Sequence, residues 1–246
     1  MIAAPARAAD ADPRAVQPER PSVATHAYSV APGFLETEIG VEFDRDRDGG
    51  SAFFAPLVAK IGLAKRLQLA VSSAVVRAPG SSAGVGDVAL RLKWRIGSPT
   101  PLLGDFALLP AVKLPTGSAG RGTGTDTTDV SILAISSRKL GPVELDLNAG
   151  YLRRSGNGSS APRDATLWAA AFSGPFPGRF GWNAEIFGFP GTSGPARSAP
   201  IVGITVGPTW QPRPWIAFDA GAIVRVTGPQ ANAAYAGLTW NLGQLR

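Results

Sequence analysis

The chain has 246 residues, 44% hydrophobic and only 17% charged, with 30 Gly and 22 Pro, a content that excludes a helical protein and suits a single domain of many short strands. It holds no cysteine, which excludes thiol catalysis, thiolate metal sites and disulfides together. The formal net charge is +6, but the basic residues are scattered among apolar runs and never reach four in a row, so no nucleic-acid footprint is expected.

Residues 1–32 are polar and Pro-interrupted and carry no period, which predicts a flexible lead ending at Pro32-Gly33, ahead of one domain over 33–246. Ala6-Arg7-Ala8 has the small-residue spacing of a signal-peptide cleavage site, while the apolar core of such a peptide is missing. The expectation is a remnant of an export signal whose apolar part lies upstream of Met1. The longest uncharged runs, such as Ser198–Pro212, fall short of the roughly 18 residues of a transmembrane helix.

Alternation begins at Phe34. Over Phe34–Phe43, Leu35, Ile39, Val41 and Phe43 share one face, and Glu36, Glu38, Gly40 and Glu42 share the other. Successive side chains of a strand point to opposite sides, so this is a strand signal. Weaker runs follow at about 51–63 and 67–77. The clearest run is Val85–Gly97, in which Gly86, Val88, Leu90, Leu92, Trp94 and Ile96 alternate with Asp87, Ala89, Arg91, Lys93 and Arg95. A helix would wrap those bases around its circumference, whereas a strand lines them up in one row. Further runs lie at about 105–115 and 126–138. In the next, Val143, Leu145, Leu147, Ala149 and Tyr151 alternate with Glu144, Asp146, Asn148 and Gly150. Runs at about 164–174, 180–190, 200–211 and 215–226 precede the last, where Ala234, Ala236, Leu238, Trp240 and Leu242 alternate with Tyr235, Gly237, Thr239 and Asn241.

These runs predict about twelve strands of about ten residues, the length that crosses a bilayer at a tilt. Short connections near 64–66, 139–142 and 211–214 alternate with longer Gly/Ser/Thr segments, the two-rim pattern of an up-and-down barrel; the 97–104 connection is longer than that pattern wants. A soluble sandwich also alternates. Two features favour lipid. The second face of each strand mixes charge with Gly, Ala and Ser, as a crowded wet lumen requires. Trp94, Tyr151, Trp182, Trp210, Trp215 and Trp240 fall near strand ends, where amphipathic rings meet the membrane–water interface. The expected fold is therefore all-β, a closed antiparallel up-and-down transmembrane β-barrel in the bacterial outer membrane.

Several segments resemble a known family. Arg20-Pro21-Ser22-Val23-Ala24-Thr25 through Val30-Ala31-Pro32-Gly33-Phe34 into Glu36-x-Glu38-x-Gly40 resembles its entry motif. Gly84-Val85-Gly86-Asp87-Val88 leading into Lys93-Trp94 follows, then Leu109-Pro110-Ala111-Val112-Lys113-Leu114-Pro115-Thr116-Gly117, Leu147-Asn148-Ala149-Gly150-Tyr151, Asn183-Ala184-Glu185 and Gly237-Leu238-Thr239-Trp240. Together they resemble the "Putative MetA-pathway of phenol degradation" family of outer-membrane barrels. The resemblance implies an outer-membrane barrel linked to uptake of aromatic compounds, and it carries over no binding residues. The chain departs from such barrels in ending Asn241–Arg246 without a terminal aromatic, which bears on assembly rather than on fold.

Enzyme chemistry finds little support. Asp44-Arg45-Asp46-Arg47-Asp48-Gly49 matches half of a calcium loop, but Ala55 stands where calcium wants a bidentate Glu, so a charged hairpin loop is the expectation and no metal is assigned. The single histidine, His26, lies in the lead, away from any strand that would hold a serine nucleophile. Glu36/Glu38 and Glu144/Asp146 stand about 7 Å apart along one strand face, a spacing better explained by a ladder facing Arg and Lys than by a glycosidase pair. No catalytic residue and no cofactor are expected.

The charged faces are expected to line the lumen. Arg91, Lys93, Arg95 and Lys113 form one arc; Glu36, Glu38, Glu42, Asp129, Glu144, Asp146, Glu185 and Asp219 form another, with Asp87 and Asn148 beside them. Such arcs either set a field across an open pore or pair and close it. The expected function is passive passage of small, aromatic or other organic solutes, the alternative a structural barrel plugged by its own side chains. Expected partners are outer-membrane lipid and lipopolysaccharide, a small solute and the barrel-assembly machinery, with no nucleic acid.

Overall fold

The computed structural model describes residues 12–20, 22–159 and 161–245. Twelve long antiparallel strands form its wall: β1 (Phe34–Arg45), β2 (Ser51–Ala64), β3 (Leu67–Arg77), β5 (Val88–Thr100), β6 (Gly104–Leu114), β7 (Asp129–Leu140), β8 (Val143–Arg154), β9 (Asp164–Pro175), β10 (Phe180–Phe189), β11 (Ile201–Arg213), β12 (Ile216–Thr227) and β13 (Asn232–Gln244). A two-residue strand, β4 (Gly84–Val85), pairs with the end of β3. Each long strand pairs with its chain neighbours, and β1 pairs with both β2 and β13, so the sheet closes on itself. Closure leaves no row of unpaired amides for lipid to meet. A strand of twelve residues is roughly 40 Å long and, tilted by about 40°, spans roughly 30 Å, the hydrocarbon thickness.

The outer rungs are uncharged except at strand ends. On β5 they carry Val88, Leu90, Leu92, Trp94 and Ile96, and Leu90, Leu92 and Trp94 are 43%, 36% and 53% exposed. A soluble protein rarely leaves so continuous an apolar surface in water. At one rim Phe180, Trp210 and Phe218 stack across β10, β11 and β12 with centroids 6.3 and 5.4 Å apart. At the other, Phe43 and Phe53 lie 5.2 Å apart. These are two aromatic belts, with the apolar band between them.

One rim carries turns of two to four residues, at 65–66, 101–103, 141–142, 176–179 and 214–215, and the other carries connections of four residues or more, most of them longer. The long 97–104 connection read from the sequence is resolved, because β5 continues to Thr100 and leaves a three-residue turn. The strand read as Val85–Gly97 is interrupted at Gly86 and Asp87: Gly84–Val85 pair with the end of β3, Gly86 N–H bonds to Ala74 O of β3, and regular pairing resumes at Val88 after Asp87 has turned into the ring. Asp46 and Gly50 close the β1–β2 hairpin through the charged loop.

The lead is a correction to the sequence reading. Its described residues, 12–20 and 22–32, are held inside the ring rather than trailing from it. They enter at the short-turn rim, where Val16 N–H bonds to Pro214 O, and return there, where Gly33 N–H bonds to Gly62 O. The signal-remnant reading of Ala6-Arg7-Ala8 lies outside the described residues.

Candidate functional site

The inner face of the wall supplies acceptors at the positions where the lead presents amides. Gln17 N–H donates to the Glu36 carboxylate at 3.0 Å, and the amides of Glu19 and Arg20 donate to Glu38, each at 2.9 Å. The chain then crosses the lumen. Val23 and Ala24 donate to Glu185, Thr25 to Asn148, Ala27 to Ser137 Oγ, and Val30 to Gln68. Asn148 also donates back to Thr25 O. The wall thus reads the main chain of the plug, strand after strand around the ring. Small side chains fit beneath: Ala24 packs on Phe187, Ile223 and Tyr235, and Ala27 on Leu109 and Ile135.

Two fully buried lysines hold the middle of this arrangement. Lys60 Nζ lies 2.7 Å from Glu36, pairs with Glu38, approaches Glu19 at 4.0 Å and donates to Gln17 O. Lys93 Nζ lies 2.6 Å from Glu19 and donates to His26 O at 2.8 Å and Tyr28 O at 3.2 Å. Buried charges need partners and hydrogen bonds of this density, because desolvation otherwise expels them. Burial would raise the Glu19 carboxyl, but Lys93, Lys60 and Arg91 hold it well below the usual carboxylate range. Desolvation and the neighbouring Lys93 push the His26 imidazole down to about 3, so it stays neutral in the docked plug. Burial, then the Glu144 carboxyl, raises the Tyr28 phenol.

Above the plug lies a cavity of about 410 Å³. Its floor is Glu19, Arg20 and Ser22 of the lead, and Thr123 reaches in from the loop at 115–128. That loop is folded inward by Asp87, which accepts from Gly117 N–H at 2.9 Å and Thr125 N–H at 3.2 Å and pairs with Lys113 at 2.5 Å. Lys113 and Arg154 each lie 3.4 Å from Asp129, extending the network to β8.

The residues proposed from the sequence for the lumen stand on the inner face and divide by what they touch. Glu36, Glu38, Lys93, Asn148 and Glu185 grip the plug. Asp219 faces Arg20 of the lead at 3.9 Å, Glu144 meets Tyr28, and Asp146 accepts from Ser137 Oγ. Asp87, Lys113 and Asp129 fasten the long-rim loop, and Arg95 pairs with Asp105 at 3.7 Å. Glu42 and Arg91 face the cavity. Sequence reasoning missed Lys60, Gln68, Glu19 and Arg20. Lys60, a lone cation in the apolar β2 run, was the one signal among these that alternation could have found.

A model of the family described as "Putative MetA-pathway of phenol degradation" matches residues 19–242. No functionally curated protein matches the chain. Among solved structures, the COG4313 outer membrane channel from Pseudomonas putida F1 superposes with a TM-score of 0.69 at 13% identity, over 92% of this chain and 100% of that one. The NanC porin superposes at 0.60 with 12% identity, over 85% of this chain and 100% of that one. The KdgM porin in complex with disordered oligogalacturonate gives 0.58 at 8% identity, over 83% and 98%. At these identities the likeness is one of fold: a twelve-stranded barrel of the outer-membrane type.

Proposed function

Since the chain belongs to the "Putative MetA-pathway of phenol degradation" family, we propose that it is an outer-membrane channel for passive passage of small aromatic or other organic solutes, closed at rest by its own N-terminal segment. The observation that carries this reading is the division of the lumen. The half toward the long loops holds a cavity of about 410 Å³, and the half toward the short turns is filled by a stretch of the N-terminal chain rather than by wall side chains alone. The short-turn rim faces the periplasm in barrels of this type. Lipid covers the apolar band, lipopolysaccharide meets the long-loop rim, and the barrel-assembly machinery inserts the chain. No residue of the ring is assigned a catalytic role.

The test is planar-bilayer conductance of the full chain against a variant lacking residues 12–30. The full chain is expected to conduct rarely and the variant steadily. A folded variant that conducts nothing overturns the channel. A second reading, a structural barrel with a permanently plugged lumen, is favoured by Lys60 and Lys93, both 0% exposed, Lys60 ion-paired to Glu36 on the adjacent strand beneath the plug and Lys93 to Glu19 of the plug itself. It predicts that the deletion leaves an unstable or collapsed ring instead of a pore.

A further inference from the structure

The inner ladder of β2, β3 and β5 changes character abruptly above the plug. At the plug's level the rung is Lys60, Ala70 and Arg91. The rungs toward the long loops are Val58 with Ser72, Pro56 with Ala74 and Phe54 with Val76. An apolar wall therefore rises directly over one guanidinium.

That guanidinium is the uncommitted one. Lys60, Lys93, Lys113 and Arg20 all have carboxylate partners. Arg91 has no ion pair among the described residues, and its buried Nε has no hydrogen-bond partner. Glu19, beside it on the cavity floor, is already held at 2.6 Å by Lys93. Glu38 is held by Lys60 and Asp87 by Lys113, while Glu42 stands on the Phe54 rung at the top of the apolar wall. A buried donor left unpaired is costly, and a planar guanidinium fork matches a carboxylate in two-point fashion. The cavity is apolar along this side and polar across from it, where Arg20, Asp87 and Thr123 line it. An apolar wall facing a set of polar groups in a cavity of this size is a general form of small-molecule site.

We propose that the cavity is a binding site for small monoaromatic carboxylates, with the carboxylate on Arg91 and the ring against Val58, Pro56 and Ala74. The inference rests on the solute-channel reading and names the solute class that pauses above the plug.

The experiment is equilibrium dialysis of benzoate, benzyl alcohol and benzylamine against the full chain folded in detergent. Benzoate is expected to bind about tenfold or more tightly than the other two, the scale of one charge-assisted hydrogen-bonded contact. Arg91→Gln is expected to abolish that preference. Equal binding of all three, tighter binding of benzylamine, or an Arg91→Gln variant that keeps the benzoate preference overturns the site. The three-ligand comparison on the unaltered chain decides the matter even where the variant fails to fold. Liposome uptake of benzoate through the variant lacking residues 12–30 separates the two claims. Selective binding without flux removes the channel and leaves the site; flux without selective binding removes the site and leaves the channel.

Discussion

Replacing Lys60 by Met tests what holds the plug in place. Lys60 is 0% exposed and lies 2.7 Å from Glu36 while also pairing with Glu38. At an effective dielectric constant of about 20, one contact at that distance is worth roughly 6 kcal/mol before desolvation is subtracted. Breaking a buried pair by removing one partner costs about 3–5 kcal/mol. Protonating one stranded carboxyl at neutral pH instead costs roughly 4 kcal/mol, from the gap between an ordinary glutamate pKa and pH 7. The two routes agree. The closed state escapes the penalty in one way, by letting the plug leave so that water reaches Glu36 and Glu38.

The docked fraction should therefore fall by roughly two to three powers of ten in Lys60→Met. A Glu-specific protease reads this directly, because Glu19 lies in the plug and only 7% of its side chain is exposed. Cleavage after Glu19 should accelerate by about the same factor as the docked fraction falls, when opening is fast relative to cleavage. Heat-modifiable migration of the ring should persist, since every outer rung is untouched. The triple variant Lys60→Met, Glu36→Gln, Glu38→Gln should restore resistance, as the Gln carbonyls still accept the plug amides without a stranded charge. A folded Lys60→Met barrel cut at the unaltered rate would refute the reasoning.

His26 sets a pH dependence. The free ring takes a proton below 6.5 and the docked ring only near 3, so docking is strongest above 6.5 and weakens as pH falls through that window. The loss is at most about 1.4 kcal/mol per pH unit, and less here because the ring is only partly buried. Bilayer openings of the full chain should become more frequent between about pH 6.5 and pH 4.5, and His26→Gln should flatten that rise. Gly62→Ala should loosen the end of the plug, because a Cβ there would sit 2.2 Å from Ala31 O and 2.3 Å from Val30 O, both main-chain atoms. More frequent openings at neutral pH, with unchanged heat-modifiability, are the expected result. Lys113→Met should release the inward loop, raising hydrogen exchange at the amides of Gly117 and Thr125, which now donate to Asp87. A cost of about 1–3 kcal/mol is expected for that contact, and unchanged exchange would count against it.

The wall was legible because period two is imposed on every strand by the same demand, lipid outside and a packed polar lumen inside. The clearest segment, β5, alternates without exception from Val88 to Ile96. Its start was misread because Gly86 and Asp87 keep the alternation in sequence while leaving the ladder in space, where Asp87 serves the loop at 115–128. The weaker runs were weak for a physical reason too. Phe54 and Val58 on β2, Ile135 on β7 and Phe187 on β10 put apolar side chains on the inner face and blur the contrast. The plug was illegible for a deeper one. It is held chiefly through its carbonyls, which every residue possesses, and its N–H groups, which every residue but proline possesses, and a segment read by its main chain needs no pattern in its side chains.

That mode of holding also explains why the charged arcs do not simply pair across an empty ring. Glu185 has no cation partner among the described residues and is satisfied instead by two amides of the plug. Lys93 has one acid and makes up its remaining bonds from plug carbonyls and Thr25 Oγ1. One strip of main chain thus supplies donors to the acids and acceptors to the bases at once, which no single charged side chain does. Withdrawing it strands groups of both signs, and water is the solvent that replaces both. Opening is therefore governed by hydration of the inner wall more than by loss of apolar contact, since the plug offers mainly Ala24 and Ala27 to the apolar clusters. On the proposed reading, a closure built this way would hold while dry and give way once wetted.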